Sequence, residues 1–160
     1  MSNCFILLAA GKGKRFKSKT LKQFINYKNK PLFMHSLDKA IKSKLFKKIV
    51  IVTNNKIKLK NKKVKIIKGG KERYQSSHKA LEYIKNKKFK NVFIHDAARP
   101  DFSINLLKNL KKHLNKNKAV VPYINTDNST KYNYRNSVVN LKRENLLLTQ
   151  TPQCFDYKTL

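Results

Sequence analysis

The chain has only four glycines, Gly11, Gly13, Gly69 and Gly70, and all four fall in loops that directly follow strand-like runs. Glycine reaches positive φ and lets a ligand approach the backbone closely. The first loop reads Leu8-Ala9-Ala10-Gly11-Lys12-Gly13-Lys14-Arg15-Phe16. Small residues after a strand present backbone N–H groups that can cradle phosphate, and Arg15 and Lys22 add charge. The loop lacks the G-x-x-x-x-G-K-[ST] of a Walker A motif and the third glycine of a dinucleotide fingerprint. Taken alone, an ordinary tight turn explains it equally well. The second chemical element is His95-Asp96-Ala97-Ala98-Arg99-Pro100. A carboxylate such as Asp96 at the end of a strand is placed to hold Mg²⁺, which takes one or two carboxylates and fills its shell with water and phosphate oxygens. With eight Asp and Glu in the whole chain, a dedicated all-protein metal cage is not expected. The plainer alternative is that Asp96 pairs with Arg99 or caps a turn. No Ser/His/Asp or Cys/His constellation stands in motif context. His35, His78 and His113 read as helix-surface or helix-end residues, and His95 as structural.

These residues need elements to position them. Asn3 to Ala9 is a nearly all-apolar run, as in a strand buried on both faces. Lys48 to Thr53, Val64 to Ile67, Asn91 to Ile94 and Ala119 to Pro122 read as further strands, with a last one near Cys154-Phe155. Between them lie helical patterns. One is opened by Pro31, with Leu32, Phe33, Leu37 and Ile41 as its stripe. Another spans Glu72 to Asn86, with Ala80, Leu81 and Ile84 inward, and a third runs from an N-cap at Ser103 to about Lys116. Residues 125–142 read as a polar hairpin or arm. Alternating strands and helices predict an α/β sandwich with a mostly parallel sheet. Ligands bind such sheets beyond the carboxyl ends of the strands, where the loops after Ala9, Ile67 and Ile94 converge.

A length of 160 residues fits one domain with a sizeable core. No run approaches the ~18 apolar residues of a membrane span. The run Phe5 to Ala10 is too short for a signal-peptide core, so the expected location is the cytoplasm. Cys4 and Cys154 lack companions at zinc-ligand spacing. The formal charge is +30, from 38 Lys and Arg against 8 Asp and Glu. That balance raises nucleic-acid binding as one reading. The lysines, however, cover nearly every predicted helix face and loop: Lys39 to Lys48, Lys56 to Lys68, Lys85 to Lys90, Lys108 to Lys118. Such a spread favours a Lys/Asn/Ile-rich composition over one dedicated stripe with interleaved aromatics. On either reading the field attracts polyanions, nucleotides included, and weakens with salt.

Five blocks, in order, carry a family resemblance: Leu8 to Arg15, Lys22-Gln23-Phe24 with Lys30-Pro31-Leu32, Gly69 to Ser76, His95 to Pro100, and Gln150-Thr151-Pro152-Gln153-Cys154-Phe155. The opening resembles the nucleotidyltransferase superfamily. Together the blocks resemble the 2-C-methyl-D-erythritol 4-phosphate cytidylyltransferases of non-mevalonate isoprenoid synthesis. Ala97-Ala98 favours these over the ribitol 5-phosphate cytidylyltransferases.

The resemblance implies a Rossmann-like fold with a protruding arm, a homodimer, and Mg²⁺-dependent transfer of CMP from CTP to the polyol phosphate. It implies that Ala9, Ala10, Gly11 and Gly13 line the CTP loop, and that Arg15 and Lys22 hold the phosphates. Gly70 and Ser76 would contact base and ribose. Asp96 would carry Mg²⁺, with Ala97 nearby and Arg99 organising the site. Thr130 and Arg143, on the arm, would reach the polyol phosphate across the dimer.

Lys71 stands where many relatives carry an acidic residue. Thr126 to Lys131 departs from the usual arm start by one apparent insertion. Relatives also continue past Leu160 with a helix and strand bringing a lysine and an acidic residue to the phosphates. The chain is therefore expected to be an incomplete nucleotidyltransferase domain. An inactive nucleotide-binding fragment and a basic nucleic-acid-binding protein are the alternatives to the enzyme.

Overall fold

The computed structural model describes residues 2–13 and 20–160. In chain order the strands and helices are β1 (Asn3–Leu8), β2 (Asn26–Tyr27), β3 (Lys30–Pro31), α1 (Leu32–Lys42), β4 (Lys48–Val52), β5 (Val64–Ile67), α2 (Arg73–Ile84), β6 (Asn91–Asp96) and α3 (Ile104–Leu114). They continue with β7 (Ala119–Val120), β8 (Tyr123–Asn125), β9 (Thr130–Tyr134), β10 (Ser137–Leu141), β11 (Leu147–Thr149) and β12 (Gln153–Asp156). Six strands form one sheet in the order β5-β4-β1-β6-β12-β7. The first four are mutually parallel, whereas β12 runs antiparallel to both β6 and β7.

The chain winds outward from β1 to β4 and β5, then returns through α2 to place β6 on the other side of β1. That reversal is a topological switch point, where doubly wound sheets open a crevice for ligands.

The three layers follow from the period-2 alternation of the strands. Phe5, Leu7, Ile49, Ile51 and Phe93 pack under α1 and α3, against Phe33, Leu37, Leu107 and Leu110. Cys4, Ile6, Val50, Val52, Val92 and Ile94 face the other way, onto Ala80 and Ile84 of α2. With both faces covered, the central strands read as unbroken apolar runs. Full burial of each large side chain is worth ~1.5–3 kcal/mol. In α1 the buried stripe is Phe33, Ser36, Leu37 and Ala40, so the predicted stripe is shifted, with Leu32 and Ile41 only half-buried. Pro31 proves to be the N-cap, one position before the helix. The Ser103 cap is present: its Oγ accepts from Leu106 N at 3.0 Å.

Two expectations need correcting. The strand expected at Ala119 to Pro122 stops at Val120, because its neighbour β12 offers pairing only to Ala119 and Val120. The arm is also longer than residues 125–142. Tyr123–Asn125 pairs antiparallel with Leu147–Thr149 to form its base, and the β9–β10 hairpin forms its tip. Both cysteines are buried free thiols, and burial pushes the Cys4 thiol up to about 12. No helix among the described residues is long and apolar enough to cross a membrane.

His95 is fully buried and ties three elements together. Its Nε2 lies 3.2 Å from Ser36 Oγ of α1, and its Nδ1 lies 2.8 Å from Thr151 Oγ1 in the loop before β12. Burial depresses its pKa to about 4, only partly offset by the neighbouring Asp96 charge. The unfolded chain therefore protonates this group first as pH falls, and stability is lost between about pH 6.5 and 4. Urea unfolding across that window is expected to show this slope, and His95→Asn to flatten it; an unchanged slope would remove His95 as its source.

Candidate active site at the carboxyl edge of the sheet

The carboxyl ends of β1, β4 and β6 are level. Leu8 pairs with Val52 on one side and Asp96 on the other. Ala9 N donates to Val52 O at 2.7 Å, and Ala97 N donates to Leu8 O at 2.9 Å. The loops after β1 and β6 therefore leave the sheet side by side, and a cleft of about 830 Å³ opens between them and the start of α2.

The first wall is the glycine loop. Ala10, Gly11 and Gly13 line the cleft, with Lys22 close by. Gly13 has φ +59, which a β-carbon would strain. Ala9 turns the other way and packs in the core, so its predicted contact with nucleotide is not made by its side chain. Gln23, which is buried, fixes the loop from behind: its Nε2 donates to Ala9 O and Gly11 O, each at 2.9 Å. Arg15 lies outside the described residues.

The second wall is the head of α2, where Arg73 and Ser76 line the cleft, with the Gly69-Gly70 loop just before it. A capping box starts this helix: the Glu72 carboxylate accepts from the backbone of Gln75, and Gln75 Oε1 accepts from Glu72 N and from Lys71 N. Ser76 Oγ accepts from Gly70 N at 3.1 Å, so the hydroxyl predicted to meet the nucleotide also braces the loop. A β-carbon on Gly69 would overlap the Ala10 methyl, so the two glycine loops touch only because residue 69 has no side chain. Gly69, Gly70 and Lys71 line a separate hollow of about 780 Å³ with Lys12, His78 and Lys79, so the predicted site residue Gly70 opens onto this hollow and not onto the cleft that holds Asp96.

The third wall follows β6. Asp96 is held between two arginines, with Arg73 Nε 2.9 Å from Oδ1 and Arg99 Nε 3.6 Å from Oδ2. Arg99 Nη1 also donates to Gln150 Oε1 at 2.9 Å. Ala97 and Ala98 leave the floor open beside the carboxylate. Thr130 and Arg143 do not join this cleft. Thr130 Oγ1 donates to Asn128 O, and Arg143 pairs with Glu144 at 3.5 Å, both on the arm.

Three side chains without an assigned role from sequence prove important: Gln23, Arg73 and Gln150. Each lay within a recognised block, but only the folded register shows which backbone or carboxylate it reaches.

Among the described residues no group of three His, Cys, Asp or Glu could cage a metal. The donor set still fits Mg²⁺ in one way. Asp96 is a single carboxylate beside a phosphate-sized cleft, and magnesium usually binds through one or two carboxylates plus phosphate oxygens and water. Three described cations, Lys22, Arg73 and Arg99, line the cleft with that one carboxylate, so its balance of charge suits an anion.

An open sheet with a reversal of strand order beside β1, and a glycine-lined, cationic crevice at that switch point, defines a domain of the doubly wound α/β class. The sequence model of IspD, 2-C-methyl-D-erythritol 4-phosphate cytidylyltransferase, matches residues 3–160, and the chain belongs to that family. It is 52% identical over 165 residues to the bifunctional enzyme IspD/IspF of Pelagibacter ubique, covering 100% of this chain and 44% of that protein. It is 36% identical over 170 residues to the 2-C-methyl-D-erythritol 4-phosphate cytidylyltransferase of Clostridium botulinum strain Loch Maree, covering 99% and 74%. Among solved structures, the bifunctional IspDF of Campylobacter jejuni superposes with a TM-score of 0.85 at 34% identity, covering 99% of this chain and 42% of that one. The Francisella tularensis cytidylyltransferase superposes with a TM-score of 0.82 at 30% identity, covering 98% and 73%. The chain thus spans under half of the bifunctional relatives and about three quarters of the single-function ones.

The loop contact at Gly69 generates a direct test. Gly69→Ala is expected to push the second loop away from Ala10, weakening nucleotide binding at least about tenfold and destabilising the fold by roughly 1–3 kcal/mol. Calorimetric titration with CTP alongside thermal unfolding would show both, and unaltered affinity would mean that the loops need not touch.

Proposed function

We propose that this chain transfers the CMP group of CTP to 2-C-methyl-D-erythritol 4-phosphate and releases pyrophosphate. The observation that carries the reading is Asp96 with its two arginines, facing the glycine loop across one cleft, in a chain of this family. The acceptor phosphate is already an anion and needs no protein base. One of its oxygens attacks the α-phosphorus of CTP, a P–O bond forms, and the bond to the bridging oxygen breaks to free pyrophosphate. Catalysis then rests on holding the two anions in line and on positive charge around the phosphorus.

The residues divide that work. Backbone N–H groups around Ala10, Gly11 and Gly13 receive the triphosphate, and Lys22 with Arg15 neutralises the charge that builds up. Gly70 and Ser76 position the nucleoside end, and Ala97 leaves room beside the carboxylate. Arg99, steadied by Gln150, orients the acceptor. Asp96 would hold Mg²⁺, which would supply further positive charge against the phosphates.

The arm is proposed to join two copies, with Thr130 and Arg143 of each reaching the acceptor phosphate in the other's cleft. Its support is the exposed apolar surface that the arm carries: Ile124, Val138, Val139, Leu147 and Leu148, with Tyr132 and Tyr134 stacked 5.9 Å apart. These side chains fall on both faces of the arm's strands, and so much exposed apolar surface on one element commonly marks an interface. The two buried free thiols fit a reducing compartment such as the cytoplasm. The net charge of +30 is proposed to draw in polyanions without selecting among them.

Pyrophosphate release is the assay, with CTP and Mg²⁺ and with methylerythritol phosphate, ribitol 5-phosphate or no acceptor. Release is expected with methylerythritol phosphate alone, and Asp96→Asn or Lys22→Ala should each lower kcat by about a hundredfold or more. Preference for ribitol phosphate would reassign the substrate. Sedimentation supplies the second check: a dimer is expected, and Val138→Lys with Leu148→Lys should yield monomers. A wild-type monomer would refute the arm's assignment.

A further inference from the structure

Asp96 is the one carboxylate among the described residues lining the cleft, and both of its oxygens face an arginine. The two arginines are held differently. Arg99 is anchored locally: its backbone N–H donates to Asp96 O at 3.0 Å and its Nη1 to Gln150 Oε1. Arg73 arrives from another element, the first turn of α2, and its half-exposed side chain meets Oδ1 through Nε at 2.9 Å.

Taking Asp96 as the metal carboxylate, as above, creates a conflict. A divalent cation and the Arg73 guanidinium would compete for the same oxygen. A dication arriving alone must break the ion pair and leave a displaced guanidinium beside it in the cleft. A dication arriving with a nucleotide brings a triphosphate, and phosphate oxygens are a bidentate partner for a guanidinium. A half-exposed pair is weak enough to be exchanged in this way.

We propose that Arg73 occupies the cation's place on Asp96 before ligands bind and is handed to the triphosphate when cation and nucleotide bind together. Arg73 is then a gate against premature metal binding and afterwards a phosphate ligand. Its place at the head of α2, beside Ser76 and Gly70, puts it on the wall that the triphosphate must pass. Metal and nucleotide become coupled ligands, each tightening the other by the same factor.

The test is a Mn²⁺ titration of the whole chain without nucleotide, followed by electron paramagnetic resonance. The wild type is expected to bind Mn²⁺ weakly, and Arg73→Gln to bind it roughly two- to fivefold more tightly. Arg73→Lys, which keeps the charge, should stay close to wild type. In metal-free buffer, CTP should bind Arg73→Gln less tightly than wild type. Asp96→Asn controls for the site. If Asp96→Asn abolishes Mn²⁺ binding but Arg73→Gln leaves it unchanged or weaker, the exchange is wrong and the metal assignment stands. If Asp96→Asn binds Mn²⁺ like wild type, both ideas fall together.

Discussion

The register between β1 and β6 is the constraint on which the cleft depends. Leu8 lies opposite Asp96, and the bond from Ala97 N to Leu8 O closes that pairing at the edge of the sheet. A slip of one residue would turn every side chain on β6 to the opposite face. Phe93 would leave its layer, and His95 would lose Ser36 and Thr151. Asp96 would then point away from Arg73. Packing that looks purely structural is therefore what aims the carboxylate.

Much of this was legible in the sequence because the chain is strict where it matters. Continuous apolar runs identified the central strands, since both faces are covered; the buried His95 ended the run in β6 two residues before the strand itself ends. Glycine was rare enough that its positions marked two adjoining loops at the carboxyl edge of the sheet, and the structure gives separate reasons for two of them: backbone conformation at Gly13, and contact with Ala10 at Gly69. The N-cap at Ser103 was readable because its signal is local.

What was not legible depends on distance in the chain. Nothing near Arg73 announces an aspartate 23 residues away. Gln23 and Gln150 sit in recognised blocks, yet their partners are backbone carbonyls and an arginine fixed only by the tertiary fold. The shifted stripe of α1 has a similar origin. Ser36 is buried despite its hydroxyl because His95 offers it a partner, and no periodicity argument contains that partner. The short β7 reflects a neighbouring strand whose position follows from the return of the chain after the arm.

The place of β12 has a consequence for how the chain comes off the ribosome. Within the sheet β7 is hydrogen-bonded only to β12, and β12 inserts between β7 and β6 although the whole arm separates it from them in sequence. Until residues 153–156 emerge, β6 is an open edge with unpaired backbone groups, and β7 has no place in the sheet. The loop carrying Gln150 and Thr151 is drawn into position by the same event, and with it the partners of Arg99 and His95. Closure of the sheet and completion of that wall of the cleft are thus one step, which waits for the whole arm to emerge, and a nascent chain short of that strand holds only an unfinished pocket.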